Sequence, residues 1–213
     1  MEFFKYGEDA IRIVFGNTID HTTHTLLRRY YFFLKSLRLK GIRNIIPSFT
    51  TCLIHFDSEV TSFQHIVSTL HKRRNELESV EVPEPMLHEI PVMYGGEYGP
   101  DMEYVTSYSG LTEEEVIEIH TGTIYTVFAV GFMPGFPYLG PLDKRLYSPR
   151  LETPRLKVPE GSVGIAQLQT GIYPFESPAG WRIIGKTNIP LFDYRKPPYS
   201  LMQIGDMVQF VRI

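Results

Sequence analysis

Two arginines, Arg150 and Arg155, stand in a stretch where proline restrains the backbone repeatedly: Pro149-Arg150, Thr153-Pro154-Arg155 and Val158-Pro159. A guanidinium held on so stiff a chain presents a fixed planar fork, matched to a carboxylate or a phosphate. The other reading is a surface ion pair, for example with Glu152, which would contribute little. His120 closes a predicted helix, where an imidazole can stabilise the helix dipole or point into a site as a proton-transfer group. Gln169, Tyr173 and Ser177 offer directed polar contacts. Phe136, Pro137 and Trp181 offer walls, although core packing is the default role of the lone tryptophan.

Complete catalytic devices are missing from the pattern. There is no G-x-x-x-x-G-K-[ST] phosphate loop and no G-x-G-x-x-G. Glu160-Gly161-Ser162-Val163-Gly164 fails as a nucleophile elbow because Glu160 stands at the first glycine position, so Ser162 reads as a turn residue. His21 and His24 could share a helix face as metal ligands, but no matching carboxylate–histidine pair accompanies them, and no metal is expected. Cys52, the only cysteine, sits in an apolar strand pattern as a small core hydrophobe.

The elements that must position these side chains fall into two parts. In the first, Ala10–Phe15 predicts a strand, and Asp20 caps a helix to about Lys40 with Gly41 at its end. The stripe of that helix is Leu26, Tyr30, Phe33 and Leu37. Ile42–Ile46 and Thr51–Phe56 predict two strands. Ser58 caps a second helix with Phe63, Ile66, Val67, Leu70 and Leu77 inward. The order β-α-β-β-α predicts a small α/β sandwich with both helices on one face. Pro83, Pro85 and Pro91 among acidic residues mark a linker, which divides the chain into residues 1–82 and 83–213. In the second part a short helix over about Asp101–Ser109 stops at Gly110. Another starts at Thr112, with Glu115 completing a capping box. Thr123–Gly131 predicts a strand. Beyond it, short strands such as Trp181–Gly185 and Met207–Ile213, separated by Gly and Pro turns, predict a closed or partly closed β-barrel. The fold class is therefore α+β: a small α/β N-terminal domain followed by a barrel.

The 213 residues carry a net charge of −3, which argues against a nucleic-acid surface. No apolar run approaches a membrane span, and no basic and apolar leader opens the chain, so a cytoplasmic protein is expected.

The stretches GFMPGFPYLG, PRLETPRLKVPEGSVGIA, QTGIYPFESPAGW and IIGKTNIPLFD resemble the KipI / allophanate-hydrolase-subunit-1 family, which supplies the PxpB-like component of bacterial 5-oxoprolinase. The earlier GGEYGPD and the final GDMVQFVRI fit as well. The chain departs from the family pattern at Pro141, Gln167 and Ala179, where glycine is expected, and at Lys186, where arginine is expected. Lys186 thereby joins the residues expected to contact a ligand, through a weakened bidentate contact. The resemblance implies a cyclophilin-like barrel and two partner proteins, one KipA-like (PxpC) and one LamB/YcsF-like (PxpA). With these it implies the ATP-dependent opening of 5-oxoproline to glutamate. ATP is thus an expected co-substrate of the complex. The family's amidase name carries no weight here, because the Ser/Lys signature behind that chemistry is missing from the chain. A second implied role is inhibition of a sporulation-type histidine kinase, a binding function. A third, a free-standing prolyl isomerase, rests on fold analogy alone.

Overall fold

A computed structural model describes residues 1–213. The chain divides into two compact units, Met1–Glu84 and Pro85–Ile213.

The first unit contains β1 (Glu2–Tyr6), β2 (Ala10–Val14), α1 (His21–Leu37), β3 (Ile42–Ser48), β4 (Thr51–Phe56) and α2 (Phe63–Lys72), followed by a 3-10 segment, Arg74–Ser79. Its antiparallel sheet runs β1-β2-β4-β3. Ile11, Ile13, Cys52 and Ile54 bury one face against Tyr30, Phe33, Ile66 and Leu70 of the helices. Alternation along β2 and β4 sends Arg12 and Leu53 to the other face, as a two-residue period requires. Burial pushes the Cys52 thiol up to about 12, in keeping with a core role.

Several local expectations change. β1 precedes the first expected strand, so the order is β-β-α-β-β-α. Its sequence EFFKY lacks a clean apolar alternation because it forms a sheet edge with four of its five residues exposed. Leu27, not Leu26, lies in the α1 stripe, and Leu26 is exposed. Asp20 caps α1 as expected, its carboxylate accepting from Thr23 N at 2.8 Å. The helix ends at Leu37, and Arg38, not Gly41, takes the left-handed cap conformation. α2 is capped by Ser62, whose hydroxyl accepts from His65 N, rather than by Ser58. His24 is buried in α1, and burial lowers its imidazole to about 4.

The second unit is a closed barrel with β5 (Leu87–Tyr94), β6 (Ile124–Val130), β7 (Pro137–Gly140), β8 (Arg155–Val158), β9 (Ser162–Ala166), β10 (Gln169–Ile172), β11 (Ser177–Ala179), β12 (Arg182–Lys186) and β13 (Met207–Arg212). Seven strands close in the order β10-β7-β6-β13-β5-β12-β9, with β9 returning to β10, while β8 and β11 form a separate two-stranded ribbon. All pairings are antiparallel except β5 with β13. Closure removes the sheet edges. The helices α3 (Met102–Ser109) and α4 (Glu113–Thr121) add Val105 and Val116 to the interior. Gly110 takes φ 72 to stop α3, and Thr112 with Glu115 makes the capping box of α4, both as expected.

The barrel wall has two apolar faces. Val163, Ile165, Ile172 and Ile184 face the interior, whereas Ala166, Tyr173 and Ile183 join Phe136 and Trp181 in a distinct outer cluster. The register of β9 with β10 sets Gly164 opposite Gly171 on that outer face. A Cβ on Gly171 would come within 2.8 Å of Pro137 O, 2.9 Å of Phe136 Cζ and 3.1 Å of Trp181 Cζ3. The paired glycines therefore leave a depression in the wall, and the rings of Phe136 and Trp181 lie in it.

Candidate functional site: an aromatic concavity on the outer barrel wall

The outer cluster opens into a concavity of about 270 Å³, with Phe132, Phe136, Tyr138, Arg150, Tyr173 and Trp181 among its lining residues. The Phe136 ring is the hub. Its centroid lies 4.9 Å from Tyr138, 5.0 Å from Tyr173 and 5.5 Å from Trp181, with interplanar angles of 64°, 73° and 88°. Edge-to-face packing of this kind fixes ring positions. Pro154 and Pro178 stiffen the sides. Leu151 N donates to Gly180 O at 2.8 Å and Arg182 Nε to Pro149 O at 3.2 Å, which ties the Arg150 segment to its neighbours. The Arg150 guanidinium stands 5.9 Å above Trp181. Burial raises the Tyr173 phenol to about 12, with a backbone hydrogen bond from Trp181 and the Arg150 charge pulling the other way. Tyr138 is raised for the same reason, again opposed by Arg150. Phe132 sits at the lip, 67% exposed and at φ 69, a backbone state unusual for an aromatic residue.

Of the ten residues expected at a site, Phe136, Arg150, Tyr173 and Trp181 meet here. Trp181 therefore packs and lines at once. Pro137, Gln169, Ser177 and Lys186 do not line the concavity. Pro137 is buried at the start of β7, and the Ser177 hydroxyl donates to Pro178 O at 3.2 Å within β11. Gln169 opens β10, and Lys186 ends β12 opposite Ser162 and Met93.

Two expectations are corrected. Arg155 does not present a free fork. Its Nη1 and Nη2 each lie 2.8 Å from an oxygen of Asp101, which is 5% exposed at its side chain. Asp101 also accepts from Ile183 N at 2.7 Å, so one carboxylate joins the start of α3, β8 and β12. The anchor is Asp101 rather than Glu152, and it is internal rather than superficial. His120 lies inside the barrel, fully buried, stacked on Phe210 at 4.4 Å. Its Nδ1 is 2.7 Å from Tyr94 Oη and its Nε2 is 2.9 Å from Thr170 Oγ1. The Thr170 hydroxyl donates to Gly164 O, so Nε2 carries the imidazole proton and Nδ1 accepts from Tyr94. Burial lowers this imidazole to about 3. His120 is a neutral link in a satisfied interior network, across the wall from the concavity.

Sequence reasoning missed Asp101, Tyr138 and Phe132. Asp101 closes the GGEYGPD stretch and Tyr138 lies inside GFMPGFPYLG, so both belong to the family motifs, but nothing in their spacing assigns them a role. Nothing in the Gly131-Phe132 pair signals its unusual backbone, since Gly135-Phe136 has the same pattern with an ordinary φ at Phe136.

Residues 1–202 match the family model of the carboxyltransferase domain, subdomains C and D. The chain is 40% identical over 220 residues to the B subunit of 5-oxoprolinase from Bacillus subtilis, covering 98% of this chain and 91% of that protein. The chain belongs to this family. Among solved structures, it is 29% identical to TTHA0988 with a TM-score of 0.82, over 96% of this chain and 40% of that one. It therefore spans well under half the length of TTHA0988. The conserved uncharacterized protein PH0987 from Pyrococcus horikoshii is 40% identical with a TM-score of 0.59, over 100% of this chain and 97% of that one. In this family member no helix is long and apolar enough to cross a membrane.

Proposed function

We propose that the chain is the PxpB-like component of an ATP-dependent, cytoplasmic 5-oxoprolinase, working with a KipA-like (PxpC) partner and a LamB/YcsF-like (PxpA) partner. The observation that carries this reading is the 40% identity to the Bacillus subtilis 5-oxoprolinase component across nearly the whole chain. The site geometry supports a contributing rather than an autonomous role. The concavity offers a cation, aromatic walls and phenols, but no nucleophile beside a base. Its contribution is binding and orientation.

Opening an unstrained lactam requires activation of the amide oxygen, which ATP supplies by phosphorylating it. The concavity does not suit a nucleotide. It is small and holds one guanidinium. A larger hollow of about 490 Å³ beside the first turns of α3 and α4 is lined by Glu103 and Glu113, which repel phosphate. ATP is thus a co-substrate of the assembly, and the concavity is not where it binds.

The test is reconstitution. The purified chain with ATP and 5-oxoproline yields no glutamate, and adding the two partner proteins yields glutamate and ADP. Turnover by the lone chain, or a fully assembled but inactive complex, overturns the reading. Inhibition of a histidine kinase by the chain, with no activity in the complex, would establish the binding function instead.

A further inference from the structure

The barrel unit contains six arginines, and five of them face a carboxylate: Arg145 with Asp143, Arg155 and Arg182 with Asp101, Arg195 with Asp193, and Arg212 with Glu114. Arg150 is the exception. It faces the Trp181 ring, and it stands at the mouth of a concavity whose floor is aromatic. A guanidinium with no carboxylate, above an apolar floor, is complementary to a ligand with an apolar body and an anionic end.

The walls define the body. Phe136, Tyr173 and Trp181 pack edge to face as a floor, and Tyr138, Pro154 and Pro178 also line the concavity, so a ligand rests on rings rather than between stacked planes. The volume of about 270 Å³ suits a compact ring more than an extended chain. One fork without a second cation suits a carboxylate better than a more highly charged phosphate. The glycine pair Gly164 and Gly171 makes this floor possible, since side chains there would push the rings outward.

We infer that the concavity binds a small cyclic carboxylic acid, its ring on the floor beside Trp181 and Tyr138 and its carboxylate on Arg150. Given the function proposed above, on which the ligand's name rests, that acid is 5-oxoproline. The ring rests on the aromatic floor, and Phe132, exposed at the lip with its ring 5.7 Å from Phe136, lies beside the entrance. A ligand of about nine non-hydrogen atoms binds weakly at best, in the micromolar to millimolar range.

Trp181 is the only tryptophan, so its fluorescence reports this concavity alone. The full chain is titrated with 5-oxo-L-proline and with 2-pyrrolidinone, which has the same ring without the carboxylate. The expected result is a saturable change with the acid, at least about tenfold weaker with 2-pyrrolidinone and in Arg150→Gln. Arg150 is exposed, so the variant folds, and the neutral ligand probes the same contact without any substitution. No response to the acid overturns the inference, and so does equal affinity for both ligands. The two proposals fail separately. Binding through Arg150 without glutamate production by the assembled complex removes the oxoprolinase reading and leaves the pocket. Glutamate production with a silent Trp181 removes the pocket and leaves the oxoprolinase reading.

Discussion

Arg150 and Arg155 lie on one proline-stiffened segment, yet the barrel uses them in opposite ways. Arg155 closes a bidentate pair on Asp101, a carboxylate held deep beside Ile183 N. Arg150 stands over Trp181 with no carboxylate near it. The local sequence signal, a guanidinium flanked by proline, is the same. The difference comes from what the fold carries to each fork: Asp101 from the start of α3 in one case, and an aromatic hollow in the other. A restrained arginine is thus a structural clamp or a ligand clamp according to whether the chain supplies its anion.

The sharpest way to break this contrast is substitution. Arg155→Ala leaves a buried carboxylate with Ile183 N and an Arg182 nitrogen at 3.7 Å, and should cost about 3 kcal/mol of stability. Asp101→Ala should cost about 2 kcal/mol: Arg155, a third exposed, can turn to water, but Ile183 N loses its acceptor. Arg150→Ala should change stability by less than about 0.5 kcal/mol. Urea unfolding of the three variants checks the order. Equal losses for Arg150 and Arg155 would erase the distinction.

Gly171→Ala tests how the hollow is made. The added Cβ meets backbone at Pro137 O and two packed rings, so a loss of about 2 kcal/mol is expected, together with altered Trp181 emission. Unchanged stability and emission would mean that the paired glycines do not shape the site.

The interior wall can be separated from the outer one by pH. His120 is neutral in the folded barrel, with its pKa lowered to about 3, whereas an unfolded histidine titrates near 6.5. Between these values the unfolded state binds more protons. Its contribution to stability is therefore present above about pH 6.5 and falls by up to about 1.4 kcal/mol per unit as pH drops toward 3. His24 acts in the same direction in the N-terminal unit, over a window ending near 4. Unfolding measured from pH 7 to 4.5 should show the slope, and His120→Gln should reduce it for the barrel transition. A flat profile would place His120 in contact with water.

The smallest effect is expected at Gln167. It is the first residue of the two-residue Gln167-Leu168 connection between β9 and β10, and it takes φ 54. Glycine is favoured there. Gln167→Gly should raise stability by about 0.5 kcal/mol, seen as a small upward shift in Tm, and should leave Trp181 emission unchanged. A fall in Tm would show that the Gln167 side chain makes a stabilising contact.

What is legible in the sequence is mostly local. The caps at Asp20, Gly110 and the Thr112–Glu115 box each depend on residues within one helical turn, and they form as expected. β1 is not legible, because an edge strand has little burial to impose a pattern. Ser58 and Ser62 offer the same cap chemistry, and only the packing of Ile66 and Leu70 selects between them. At the site, four residues from three motifs converge because barrel register brings β7, β10 and β12 onto one outer face. The Asp101–Arg155 pair spans 54 positions, and the His120–Thr170 bond spans 50. No local pattern encodes such distances, which is why Arg155 and His120 read as site residues until the fold supplies their partners.

The central claim is that this chain contributes substrate binding, through Arg150, to an assembled 5-oxoprolinase. The most direct measurement is kcat/KM for 5-oxoproline in the reconstituted complex, with wild-type chain and with Arg150→Ala. The account predicts a loss of about tenfold to a hundredfold with Tm unchanged. Wild-type kcat/KM in the variant complex would contradict it.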